Sequence, residues 1–215
     1  MLILGTNAYN PAIMNNVTSG GGSDIPTTLG SRIDNKATVV GVLQDHEGND
    51  YVLAVVDAAY RSGSSIAWSR GSEDTPLQSH SSSTSALADH HTGKYNTDLI
   101  LSNYTATDYP AFNFARNACS VTIGNDTYYS VLPNLIELQM LYNNKDVLDQ
   151  YDPTVSQYSN RSMSTFKFGA SGAWSSAERN LGGAWLIFNY GDEDYGGKGN
   201  DNRYGVCPVI CIPLS

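Results

Sequence analysis

Apolar residues along this chain fall into short runs separated by long polar stretches. Two β-branched runs, Ala37–Leu43 and Tyr51–Val56, flank Asp45-His46-Glu47-Gly48-Asn49-Asp50, a pattern that predicts a β-hairpin closed by a Gly/Asn/Asp turn. Pro133 opens a segment in which Leu135, Leu138, Met140, Leu141 and Tyr142 recur at helical spacing, so a helix with Pro133 at its first position is expected there. A second helix is expected from about Ala106 to Cys119, with Pro110 in its first turn and Phe112, Ala115 and Cys119 on one face. Arg61–His91 is dominated by serine and predicts a long loop region with Trp68 as its only large apolar anchor. Beyond Asp152-Pro153 the pattern is of short strands and long loops. Strands, two helices and strands again, without a βαβ repeat, indicate an α+β fold: two helices packed on short antiparallel sheets.

Residues 1–36 carry NNVTSGGGSDIPTTLGS and no sustained periodicity, so they are expected to be an extended arm or linker ahead of a domain spanning 37–215. The most informative stretch is the last quarter. Trp174 and Trp185 sit in short apolar runs, and from Arg179 to Tyr204 the chain is dense in Asn, Asp, Gly, Tyr and Arg. Such residues make an adaptable surface on a few rigid anchors. Alternation along Ala184–Tyr190 puts Trp185 and Ile187 on one side and Leu186, Phe188 and Tyr190 on the other. With the Trp side in the core, the other side would show two aromatics and a leucine to solvent, as interaction sites do. The alternative is a sheet covered on both faces by loops. The expected binding face comprises Arg179 and Asn180, then Leu186, Phe188 and Tyr190, with Asp192, Asp194, Tyr195, Asn200, Asp201, Asn202 and Arg203 along the adjoining loop.

Charge narrows the partners. Twelve Lys+Arg against 21 Asp+Glu give a net charge of −9, which argues against nucleic acid and against anionic membranes. No run approaches a membrane span, and Met1–Leu4 is too short for a secretory signal. Tyrosine is abundant, 14 against 5 Phe and 3 Trp, and its rigid ring with a polar tip suits a wet binding face. Cys207 and Cys211 on one strand would lie roughly 13 Å apart, too far to bridge; a pairing of Cys119 with either stays open, and reduced buried thiols are the expectation. Asp192, Glu193, Asp194, Asn200 and Asp201 offer hard oxygen ligands for a single Ca²⁺, but no cofactor is expected. His46, His80, His90 and His91 lack metal-ligand spacing and read as solvated loop residues. The serines around Ser81–Ser83 lack a nucleophile elbow, so no catalytic residue is expected.

Several segments taken in order resemble the C-type lectin-like fold, in the form used by variable proteins of diversity-generating retroelements. They are Thr92-Gly93-Lys94-Tyr95-Asn96-Thr97, Tyr109-Pro110-Ala111 with Ala115–Cys119, Leu132-Pro133-Asn134-Leu135-Ile136-Glu137-Leu138, Trp174-Ser175-Ser176-Ala177-Glu178, Ala184-Trp185 and Tyr204-Gly205-Val206-Cys207-Pro208-Val209. The resemblance covers about residues 90 to 215. Cys207 stands where that family usually has an Arg. The resemblance implies a non-enzymatic receptor-binding protein whose variable region, about 170–204, is rewritten at AAY codons to recognise a surface protein or glycan of another cell. It would act on a phage tail tip or a bacterial surface, as a homo-oligomer or within a larger virion or surface assembly. Such mutagenesis cannot produce Lys, Glu, Gln, Trp or Met, so Glu178, Trp185, Glu193 and Lys198 would be fixed positions. The fold family also includes a formylglycine-generating enzyme that uses cysteines, which leaves an enzyme relative, or a fixed adhesion domain, as alternatives.

Overall fold

A computed structural model describes residues 25–61, 66–71, 73–151, 172–199 and 202–214. The chain begins with β1 (Arg32–Ile33), β2 (Ala37–Gln44), β3 (Asp50–Val56) and the two-residue β4 (Ile66–Ala67). Helices α1 (Ser83–Leu87), α2 (Gly93–Asn103) and α3 (Pro110–Ala118) follow, then the hairpin β5 (Ser120–Ile123) and β6 (Asp126–Tyr129). Next come α4 (Leu135–Asn143), α5 (Lys145–Tyr151), β7 (Gly172–Asn180), β8 (Gly183–Phe188), β9 (Glu193–Gly197), β10 (Arg203–Tyr204) and β11 (Val209–Pro213). The described strands pair antiparallel, in a four-stranded sheet β1-β2-β3-β11, a three-stranded sheet β7-β8-β9 and two small ribbons. The α+β class is therefore as expected. Among the described residues no helix is long and apolar enough to cross a membrane.

The β2–β3 hairpin forms where the β-branched runs placed it. Asp45 Oδ1 accepts from the Glu47 and Asn49 amides at 2.9 Å, and Gly48 supplies the positive φ (84°) that closes the turn. The last strand, β11, returns to pair with β3, Cys211 opposite Leu53 and Ile212 opposite Val52. Alternation then gives this sheet two buried faces. Leu53, Val55, Val209 and Cys211 meet α4 and the three-stranded sheet; Val52, Ala54, Ile210 and Ile212 meet Val121 and Ile33.

Several expectations need correction. The arm expected to reach residue 36 ends sooner, because Arg32–Ile33 is an edge strand of the main sheet; the Arg32 guanidinium holds Asp57 through two 2.6 Å bonds, a fork that ties the segment down. Residues 1–24 lie outside the described residues. The helix expected from Ala106 begins at Pro110, after a turn at Ala106–Asp108, and its last residue is Ala118. Pro133 is not the first helical residue of α4: Asn134 is the N-cap, and its side chain and that of Glu137 form a reciprocal capping box.

Helices α1, α2 and α5 have no counterpart in the sequence expectations. The buried positions of α2 are Gly93, Asn96, Thr97 and Ile100, a regular helical stripe filled mostly by small and polar residues. A reading based on hydrophobicity cannot see such a stripe. Its residues are used instead for contact and hydrogen bonding. Asn96 Nδ2 donates to Ser176 Oγ at 3.0 Å, and the Leu132 amide donates to Thr97 Oγ1 at 3.2 Å. A Cβ at Gly93 would stand 2.6 Å from Glu137 Oε2 and closer still to the Leu132 carbonyl, so only glycine fits there.

Candidate functional site

The site is built on β7, β8 and β9 and is held by the WSSAE segment. Trp174 Nε1 donates to the Ile66 carbonyl at 2.7 Å, and Trp68 Nε1 to the Ser175 carbonyl at 2.8 Å. Ser175 Oγ donates to the Trp185 carbonyl at 2.9 Å, and the Ser176 amide to the Pro133 carbonyl at 2.7 Å. The β7–β8 register shifts between Trp174 and Glu178, which frees these groups from the ladder for such use. Glu178 is fully buried and meets Lys198 Nζ at 2.8 Å; Thr75 Oγ1 and Ser79 Oγ also donate to its carboxylate. Lys198 donates to the Glu73 carbonyl at 3.1 Å and lies over the Trp68 ring. Burial pushes its amine below the ordinary lysine range, opposed by the Glu178 carboxylate.

Two ladders of aromatic rings lead from this buried scaffold to solvent. On one face Trp174 meets Tyr204 edge-on at 4.7 Å, Tyr204 meets Phe188 at 6.2 Å, and Phe188 stacks on Tyr190 at 5.1 Å. Tyr190 is 66% exposed. On the other face Trp185, whose Nε1 donates to the His80 carbonyl at 3.0 Å, meets Tyr195 edge-on at 6.0 Å. The Arg179 guanidinium then lies 3.5 Å over the Tyr195 ring. The register explains the split: Tyr195 is directly opposite Trp185, whereas Phe188 has the other parity of β8.

The predicted binding residues are therefore divided between two faces. Phe188 and Tyr190 come together, as do Arg179 and Tyr195. Leu186 is a correction: it is fully buried, packed with Trp174, Phe112 and Trp68. The alternation holds, but both faces of β8 are covered, so its non-Trp side is core as well. Asn180 is exposed, its Oδ1 accepting from the Gly182 amide at 3.0 Å in the two-residue turn that carries Leu181 outward. Asp192 is exposed after Gly191, whose φ of 99° and contact with the Tyr142 ring exclude a side chain. Asp194 Oδ1 accepts from the Tyr195 amide at 2.8 Å, a side-chain cap on the edge strand β9. Asn202 is exposed, Arg203 lies in β10 opposite Ala67, and Asn200 and Asp201 fall outside the described residues.

Of the Ca²⁺ ligands considered, Glu193 instead accepts from Gln139 Nε2, and Asp194 is held as above. Among the described residues no three His, Cys, Asp or Glu side chains are grouped to hold a metal ion. The three cysteines are buried and unbridged. Burial, then the Glu137 charge, pushes the Cys211 thiol well above its ordinary range, the reverse of what a nucleophilic thiolate needs.

Sequence reasoning missed a buried polar cluster beneath the site. His80, read as solvated, and Asp89 are 3% and 8% exposed in their side chains. Asp89 Oδ2 meets His80 Nε2 at 3.0 Å, while Oδ1 meets His91 Nδ1 at 2.7 Å and accepts the His91 amide at 3.0 Å. His91 stacks against His46 and Tyr95 at 4.4 and 4.6 Å. Burial pushes the Asp89 carboxyl up, but the bonds from His80 and His91 outweigh it and hold the group below its ordinary value. A depressed carboxyl stabilises the fold above the unfolded value near 3.8, and that stability is lost as pH falls through the folded value. Asp89→Asn is expected to cost about 1–3 kcal/mol at neutral pH and to make the acid limb of the stability curve shallower below 3.8. Urea titrations across pH 2–7 check this; an unchanged acid limb would sink the assignment.

Comparison with protein-family models, curated proteins and solved structures returns no match.

Proposed function

We propose that this chain is a non-enzymatic ligand-binding protein with a C-type lectin-like fold. Its C-terminal surface would present varied side chains to a protein or glycan of another cell, from a virion tail tip or a bacterial surface. The carrying observation is how residue type divides between scaffold and surface. The residues that adenine-directed mutagenesis cannot write, Glu178, Trp185, Glu193 and Lys198, each have a side chain bonded into the scaffold. The exposed side chains of the segment, Asn180, Leu181, Asn189, Tyr190, Asp192, Tyr195 and Asn202, all belong to the set it can write.

This division separates two demands on one segment. Buried, hydrogen-bonded groups keep the backbone in place, and exposed side chains on that backbone change with little effect on stability. The aromatic ladders add rigidity, since a ring stacked on a ring rooted in the core loses little freedom on binding. The buried thiols, with burial raising that of Cys211 above its ordinary range, favour this reading over a cysteine-dependent activity.

Sequencing the 3′ end of this gene across a natural population tests the reading. Substitutions should fall on Asn180, Leu181, Tyr190, Asp192 and Tyr195 and spare Glu178, Trp185 and Lys198. A uniform segment would leave a binding domain with one fixed partner. Tyr190→Ala should abolish capture of the cognate ligand while shifting Tm by no more than about 2 °C, because exposed substitutions lie within about 0.5 kcal/mol. Undiminished binding in that variant would remove the surface from consideration.

A further inference from the structure

We infer that Arg179, seated on Tyr195, is an anchor for a carboxylate carried by an acidic side chain of a protein partner. This rests on the binding reading above and names what one part of the surface takes.

The argument begins with charge balance. The chain has nine more acids than bases. Arg32, Lys36, Lys94, Arg116 and Lys198 each hold a carboxylate. Arg179 does not: among the described residues it faces no carboxylate, and its one described partner is the Tyr195 ring. Its Nε is shielded from solvent and has no hydrogen-bond acceptor. The free protein therefore holds a guanidinium whose donors are incompletely used.

Its position is fixed by contacts that do not consume those donors. The guanidinium stacks 3.5 Å over Tyr195, Tyr195 packs edge-on against Trp185, and Trp185 is pinned to His80. A planar fork held by stacking is preorganised for two parallel bonds to a carboxylate, which a flexible lysine is not. The neighbouring acid Asp194 has the other parity of β9, opposite Leu186, and so lies away from the face that carries Tyr195 and Arg179. Among the described residues the guanidinium thus meets no carboxylate, and the proposed partner supplies one.

The surroundings favour an acidic protein side chain over an acidic sugar. Sugar rings pack on open aromatic faces, and Arg179 already covers a face of Tyr195. Beside it the β7–β8 turn projects Leu181, 54% exposed, an apolar contact suited to a protein surface. The Asp194 cap on the Tyr195 amide also discourages a partner strand from adding to β9, which leaves side-chain recognition as the mode.

The test pans the full chain against a displayed random-peptide library, with sialyllactose titrated alongside. Selected peptides are then measured against the wild type, Arg179→Gln, Arg179→Lys and Tyr190→Ala, with Tm recorded for each. The expected peptides share an Asp or Glu. Neutralising it to Asn or Gln, or making Arg179→Gln, weakens Kd about tenfold or more, and the two changes together cost no more than either alone. Arg179→Lys restores only part of the affinity and guards against misfolding of the Gln variant. Peptides that need Tyr190 but ignore Arg179 would overturn the carboxylate anchor and leave the binding reading intact. Arg179-dependent binding of sialyllactose without acidic peptides would overturn the protein partner. Binding of neither probe would overturn both.

Discussion

Glu137→Ala is expected to destabilise this protein by about 3–5 kcal/mol, because it strips the acceptor from a closed set of buried donors. The Glu137 carboxylate is fully buried and accepts from Tyr51 OH at 2.8 Å, the Asn134 amide at 2.8 Å and the Gly93 amide at 3.1 Å. Burial pushes its carboxyl up, and those donors oppose the shift. These partners belong to β3, the N-cap of α4 and the first residue of α2, and the Cys211 thiol of β11 also donates at 3.6 Å, so one side chain joins four elements that converge at the main sheet. For a chain of this size the loss corresponds to a fall in Tm on the order of 10 °C. Glu137→Gln is the informative partner variant. It keeps the shape, but its amide nitrogen must face a donor, so it should recover only part of the loss. Thermal melts with amide exchange at Gly93 and Asn134 read both effects. A change below about 1 kcal/mol in the Ala variant would mean that water replaces the carboxylate and that the junction does not depend on it.

Lys198→Met is expected to cost a comparable amount, about 3–5 kcal/mol, for a different reason. It leaves the buried Glu178 carboxyl without its counter-charge, held only by the Thr75 and Ser79 hydroxyls. Glu178→Gln leaves Lys198 with the Glu73 carbonyl and the Trp68 face. The double variant should lose less than the sum of the singles, and the shortfall measures the pair's coupling. Additive losses in a denaturant cycle would show that the ion pair has no special weight. The pair also has a functional side: it fixes the end of β9, which bears Tyr195, to the segment around residues 73–80. Exchange at the Tyr195 amide should therefore accelerate in Lys198→Met more than exchange in β3.

The buried state of these two carboxylates explains why the LPNLIEL and WSSAE segments stand out in the sequence. Each motif places one acid where neighbouring backbone and side-chain donors have no other acceptor. The residue types were legible; their role was not, because the partners come from α2, α4, β3 and the loop around residues 73–80. The same applies to Asp89, which clamps His80 and His91, two histidines that read as solvated loop residues. Leu186 departs from expectation for a related reason. Strand alternation distinguishes two sides, but which side is wet depends on whether another layer covers it, and here α2, α3 and Trp68 do.

By itself the sequence determined the elements whose cause is local. The β2–β3 hairpin follows from β-branched runs and a turn with a required glycine, α3 follows from Pro110 in its first turn and its apolar spacing, α4 from its apolar spacing, and the division of β8 into two parities from the pleat. Of the residues expected on the binding face, Asn180, Tyr190, Asp192, Tyr195 and Asn202 are exposed, Phe188 and Leu186 pack in the core cluster, and Asn200 and Asp201 lie outside the described residues. Tertiary structure alone decided the rest: the polar helix α2, the edge strand formed by Arg32–Ile33, the burial of Lys198 and His80, and the split of the binding residues onto two faces. Burial and counter-charge are properties of what arrives from elsewhere in the chain. A stripe of Gly, Asn, Thr and Ile becomes a helix face only when donors and carbonyls from other segments meet it, and no local pattern records that meeting.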